Sequence, residues 1–528
     1  MNYLSEVVGK GRVQAENFTL AGVPAKGVEV TWSAENGLHR LGIQPAKAQG
    51  GVVSADATVQ FAETGGGAKT PVLGLGATLR MDGVDARQIA WAKGPGFSLS
   101  GRTEVRARVD LPKTPLAPTT KLAQVLRKLS GSASGTVAGA ALDWAEQPAK
   151  AGRPVKAAQR MNFSSLQAQV KLAPAQAVDE AWVAQTDLSV SAVGTKPLVN
   201  LDAKASGLVR AGLRGSGLKL QNALISGKLR GWFLPARESE ATFSGRGTLD
   251  VDAQTLAMAS SSVQIYGLNI IGPFTVSKIF GSEFLISGRV HSQDSDPKRL
   301  LAALDIRQPK ASDKRVLAKL AGDADLSLGI KGFQLGNVNA QLDDTPLRGS
   351  FALADYDKPR LSFNLQAGPL DLDRYVAAPV PAAEAARRPP PPPDPLPVDS
   401  LRDLIADGTI QFRAFKFYGI TARGLVATVK AADGLLKVKP LAGKFYGGDI
   451  SGELMAQAQK QSMQVRLSLA AKDFYVSPFM IGWAGKEYAT GKADMFVDVG
   501  GAGTTDQEVL RTLEGMAGFK VLEGSYVL

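Results

Sequence analysis

The chain has 528 residues, among them 57 glycines, 29 prolines, two histidines and no cysteine. The absence of thiols excludes disulfides, thiolate nucleophiles, iron–sulfur clusters and zinc–cysteine sites, and two isolated histidines, His39 and His291, exclude an HExxH zinc helix. Sixty-one basic against 49 acidic residues give a net charge of +12, yet the charges are interspersed and residues 399–528 carry 15 Lys/Arg against 14 Asp/Glu, so there is no polybasic arm; aromatics at 7% without a stacking motif argue against nucleic-acid binding.

From the N-terminus onward, Met1 to Glu6 show neither a cationic nor an apolar signal region, and nowhere do 18 apolar residues follow one another. The expectation is a chain that is cytosolic or separated from its targeting segment. Strict alternation then recurs along the length. Val105, Ala107, Val109 and Leu111 alternate with charged residues, as do Leu166, Ala168, Val170 and Leu172 with polar ones. The same period appears at Ala324, Leu326, Leu328 and Ile330, at Leu361, Phe363 and Leu365, and at Met463, Val465, Leu467 and Leu469. A period of two puts every apolar side chain of a strand on one sheet face. Asn36-Gly37, Asp82-Gly83, Asp407-Gly408, Asp433-Gly434 and Glu523-Gly524 read as hairpin signals. Helical patterns are short: Leu122, Val125, Leu126 and Leu129 after Thr119-Thr120, a stretch near 297–305 opened by Asp296-Pro297, a second near 312–320, and a capping box at Thr505–Glu508. Pro379, Pro381, the run Pro389–Pro393, Pro395 and Pro397 mark an extended connector.

An internal repeat joins the two ends. Gly22-Val23-Pro24-Ala25-Lys26-Gly27-Val28 matches Gly419-Ile420-Thr421-Ala422-Arg423-Gly424-Leu425, and the match continues through Pro45 with Pro440 to Gly50-Gly51 with Gly447-Gly448. The expected fold is therefore mainly β: an elongated, twisted antiparallel sheet array curling into an apolar groove, with a few short covering helices. Its expected divisions are a repetitive β region at 1–265, a β region with short helices at 266–376, a proline-rich linker at 377–398 and a C-terminal β module at 399–528 that is cut short.

No catalytic constellation emerges. Gly96–Thr103 approaches a P-loop but has Arg102 where lysine is needed and opens no helix. Asp371 with Asp373, and Asp494 with Asp498, have the spacing of a strand's polar face rather than of a glycosidase pair. No catalytic, cofactor-binding or metal-ligating residue is assigned. What remains is apolar area, which suits acyl chains because they need contact and no specific polar partner. Phe363, Leu365, Val465 and Leu467 are the candidate lining, with an ordinary core as the alternative.

Several stretches resemble the AsmA family of bacterial envelope proteins: Asp296 to Leu304, Gly349-Ser350-Phe351 through Leu361-Ser362-Phe363 to Leu370–Tyr375, Leu401–Leu404, and Gly419 through Phe445-Tyr446-Gly447-Gly448 to Gly452. The resemblance covers roughly 265–528. It implies a repeating β-groove protein on the periplasmic face of a Gram-negative envelope, anchored in the inner membrane by a helix that this sequence does not contain. It also implies phospholipid or other acyl-chain lipids as partners, transfer between inner and outer membranes, and contact with the inner membrane and outer-membrane assembly proteins. The alternatives are a non-catalytic scaffold assisting outer-membrane protein assembly and, more remotely, a carbohydrate-active β enzyme.

Overall fold

A computed structural model describes residues 6–63, 70–89, 92–94, 97–117, 128–144, 159–174, 181–196, 199–212, 219–231, 240–279, 283–303, 308–309, 311–329, 331–355, 358–377 and 393–525, with isolated positions between them. It is mainly β, as the alternation predicts. Leu122 and Leu126 of the 122–129 stripe, Gly96, Leu304, Ile330 and the connector prolines from Pro379 to Pro392 lie outside the described residues. Among the described residues no helix is long and apolar enough to cross a membrane.

Two compact units make up the chain: Met1–Tyr266 with Ile271–Ile286, and Gly267–Ile270 with Ser287–Leu528. In the first, long antiparallel strands pair in sequence order from Gly9–Leu20 to Thr255–Ile265. Their sheet is curled. One buried cluster joins Val23 and Val28 near its start to Val137, Phe163 and Ala192 several strands later, around Ala86, Ile89 and Ala92 from the connection that follows Pro71–Asp85.

In the second unit, eleven strands run from Leu320–Gly329 to Glu514–Glu523 in sequence order. All neighbours are antiparallel except Arg360–Asp371 with Ile405–Phe417, which are parallel. A parallel pair needs a long crossover, and here the connection holds the proline-rich segment and the helix Val398–Asp403.

Asn36-Gly37 and Asp433-Gly434 do form tight hairpins, each with both residues at positive φ. Asp82-Gly83 and Asp407-Gly408 do not. The first is a bulge inside Pro71–Asp85, and the second lies mid-strand in Ile405–Phe417. The helix expected near 297–305 forms over Pro297–Ala303, with Asp296 accepting from the Lys298 and Arg299 amides. No helix forms at 312–320. That segment is turns running into the strand at Leu320, because Asp343 accepts hydrogen bonds from the amides of Leu317, Ala318 and Lys319 and so takes the donors a helix would use.

Candidate functional site

In the second unit the strand registers bring apolar residues into rungs that cross the sheet. One rung passes through Leu326, Leu335, Phe351, Phe363, Gly408, Val429, Val438, Leu454, Leu467, Val499 and Gly515 without a polar interruption. On one side lies a rung through Leu361, Ala406, Ala431, Leu436, Ala456 and Val465. On the other lies a rung through Leu365, Ile410, Ala427, Leu441, Gly452 and Leu469. Ten spacings between eleven strands make the apolar face about 48 Å long at ~4.8 Å per strand.

The four residues singled out in the sequence all lie on this face. Phe363 and Leu467 share the central rung, and Val465 and Leu365 belong to its two flanking rungs. Each is half-buried, whereas Ser362, Asn364, Gln366, Gln464 and Arg466 between them are exposed on the opposite face. The large side chains of the central rung (Leu326, Leu335, Phe351, Phe363, Leu454 and Leu467) are all half-buried and none is enclosed. A face sealed against a second layer would bury them. Gly408 is part of the same surface: a Cβ there would lie 2.6 Å from the Phe363 ring, so glycine lets that ring rest across the neighbouring strand.

At the strand ends, each margin of the face carries one short helix over part of its length. Along one margin Val398 and Leu401 of Val398–Asp403 pack on Ala456 and Met463, and Arg402 holds the Gln459 and Lys460 carbonyls. Along the other, the helix Val476–Ala484 seats Val476 and Phe479 against Phe445, Phe474, Ala471 and Ala493. Phe445, Phe474 and Phe479 meet edge-on or tilted at 5.2–5.9 Å between ring centroids. The same helix crosses the neighbouring turns at contact distance. A Cβ on Gly482 would stand 2.6 Å from Tyr446 Oη, itself the acceptor of the Thr421 amide at 3.0 Å. This helix is absent from the sequence reading because it is apolar almost throughout and has no 3.6-residue stripe; its available signal is Gly485, left-handed at the C-terminus, whose amide donates to Ile481.

Charge sits on the opposite face or at the margins. Arg466 reaches Asp498 in two hydrogen bonds of 2.8 and 3.0 Å and, with the Ser468 hydroxyl, holds its carboxyl below the usual range. Lys439 does the same for Glu453. Asp371 bonds Lys416, and Asp373 accepts from the Tyr418 and Gly419 amides. Asp494 accepts from the Asp473 amide. The four aspartates considered as glycosidase pairs are thus engaged in ion pairs and turn bonds. His291 pairs with Asp323 at 3.1 Å, and His39 lies edge-on to Phe61. Among the described residues no group of three or more His, Asp and Glu is placed to hold a metal ion. Chemically the arrangement offers a hydrocarbon surface with wet margins.

The first unit repeats the pattern within itself. Val13, Val30, Ile43, Ala55, Leu79, Ala107, Ala133, Val170, Leu188, Ala205, Ile225 and Gly245 form one apolar rung over twelve strands.

Comparison with known proteins gives one family: the profile of the AsmA family matches residues 298–526. The family is associated with the cell envelope. No curated protein matches the chain.

Proposed function

We propose, from the match of residues 298–526 to the AsmA family, that the protein binds lipid acyl chains along its apolar sheet face and aids phospholipid transfer between the inner and outer membranes. The observation that carries this reading is the central apolar rung, unbroken over eleven strands of the second unit with its large side chains half-open, and the two apolar rungs that flank it over six of those strands. An acyl chain laid across them gains about 0.8 kcal/mol per methylene removed from water, while its headgroup stays hydrated at the open side. Movement is passive: the face has no specific polar partner to hold a lipid at one place, so supply and removal at the two membranes set its direction. In this reading the protein works at the periplasmic face of the envelope.

The test is native mass spectrometry and lipid extraction on purified, folded protein. Co-purifying phospholipid is expected. A folded protein that carries none, and takes up none from vesicles, overturns the reading and leaves a scaffold for outer-membrane assembly.

A further inference from the structure

Where a tight hairpin joins two strands, the turn sets which residues face each other. Arg360–Asp371 and Ile405–Phe417 have no such turn between them: they run parallel, and the chain joining them holds the proline-rich segment. Alternation forbids a slip by one residue, which would turn Asp407, Thr409 and Gln411 onto the apolar face. It does not forbid a slip by two, because Ala406, Gly408, Ile410 and Phe412 are apolar or small at every second position. The observed register, with Phe363 beside Gly408, therefore has to be chosen by side chains.

Two contacts choose it. In mid-strand the Phe363 ring takes the space that a Cβ on Gly408 would need, at 2.6 Å; Ala406 or Ile410 in that place would push the ring away. At the strand end Asp373, in the single turn Leu372–Arg374, accepts from the Tyr418 amide with one oxygen and from the Gly419 amide with the other. Tyr418 and Gly419, both at positive φ, form the hairpin turn from Ile405–Phe417 into Ile420–Ala432. A carboxylate fixed to one strand thus holds the turn that ends its parallel neighbour. Lys416 adds an ion pair to Asp371, its register partner, at 3.1 Å. In the internal repeat the matching turn is Ala21-Gly22, also at positive φ, and among the described residues no carboxylate takes its amides. The clamp belongs to the parallel junction and not to the repeated hairpin.

We propose that Asp373 and Gly408 are positioning residues that lock the register of the parallel junction and thereby keep the Phe363 ring down across the neighbouring strand. In a register shifted by two residues the ring meets Ala406 or Ile410 and stands up into the path across the central rung. The lock follows from the junction alone; its purpose, a clear path for acyl chains, rests on the lipid-binding reading.

The chain has no cysteine, so paired cysteines report the register directly. Asn364 and Thr409 are register partners on the polar face, at the strand spacing of about 4.8 Å and so within reach of a disulfide. Asn364 with Asp407 or Gln411 is offset by two residues, about 8 Å, beyond the ~7 Å that a disulfide spans. On mild oxidation of the full chain, N364C/T409C should cross-link at least about tenfold faster than N364C/D407C or N364C/Q411C. Adding D373A and G408A should speed one of the offset pairs at least about tenfold and lower co-purified phospholipid several-fold, whereas Asp373→Asn, which keeps one acceptor oxygen, should retain the original order of rates. Should D373A/G408A unfold, D373A/K416A replaces it and is read by the same pairs. An unchanged order of cross-linking in the folded double variant overturns the lock. A shifted order with undiminished lipid overturns the role assigned to the Phe363 ring. Absence of lipid from every folded form refutes the lipid reading, and the cross-linking order still decides the lock.

Discussion

Leu467→Asp places a carboxylate in the middle of the central rung, between Leu454 and Val499. An acyl chain crossing that point loses apolar contact over about one strand spacing, ~5 Å. That is roughly four methylenes, or ~3 kcal/mol at ~0.8 kcal/mol each. The face is open on one side, so about half of this is realised, and lipid occupancy should fall roughly tenfold. The fold should suffer little. Leu467 is half-buried, so the new carboxylate keeps contact with water and the change costs about 1–2 kcal/mol of lost apolar burial, a few degrees in Tm. In a sealed core the same carboxylate would be buried without a partner, at ~4 kcal/mol or more. The assay is lipid per protein by native mass spectrometry beside a thermal melt, with Gln464→Glu on the opposite face as control. Global unfolding of Leu467→Asp, or full lipid occupancy in a folded variant, would refute the reasoning.

Phe474, fully buried among Phe445 and Phe479, should cost about 3–5 kcal/mol when changed to alanine, whereas Phe519→Ala, at a 44% exposed position, should cost about 1 kcal/mol or less; equilibrium denaturation distinguishes the two. Gly349 has φ +136° and any Cβ there would overlap the Asn364 carbonyl, so Gly349→Ala should lose ~2 kcal/mol or more, visible as a lowered melting temperature. Burial works to raise the Asp343 carboxyl, but the Tyr375 hydroxyl and the Ala318, Leu317 and Lys319 amides outweigh it and hold it below its usual range. Arg315 and then Arg374 likewise hold the Asp313 carboxyl below its usual range. Depressed carboxyl values stabilise the fold above the unfolded range near ~4, and that stabilisation disappears as pH falls through the depressed values. Amide protection at Leu317–Lys319, corrected for intrinsic exchange, should therefore drop below about pH 4, and Asp343→Asn should abolish the step.

Much of the candidate site was legible because one physical rule, the two-residue period, assigns each side chain to a face without knowledge of its neighbours. That rule puts Phe363 with Leu365 and Val465 with Leu467, each pair on one face of its strand, and the registers join the two pairs into one surface. Pairing partners were not legible. Nothing local to Arg360–Asp371 or Ile405–Phe417 announces that they run parallel, and a dipeptide such as Asp407-Gly408 gives up its turn tendency when strands pair on both sides of it. The helix Val476–Ala484 escaped for the opposite reason: it is buried on one side and aromatic on the other, so its composition hides its period.

The repeat becomes intelligible only with the registers in view. Alternation breaks where the chain goes from Val438 to Leu441 while its partner goes only from Leu454 to Gly452, and it breaks in the same way from Ile43 to Ala46 against Ala55 to Val53. A bulge adds one residue to one strand and shifts its facing by one step. Without it, the residues following Val438 and Ile43 would turn their apolar side chains to the polar face. Pro440 and Pro45, aligned in the repeat, sit inside these two bulges, where a residue without an N–H gives up no ladder hydrogen bond. The prolines thus occupy the positions at which each strand resets its phase, so that Leu441 and Ala46 rejoin the apolar surface. A continuous hydrocarbon face across many strands requires every strand to keep phase with its neighbours, and the repeated Pro-containing bulge is one device by which this sequence does so.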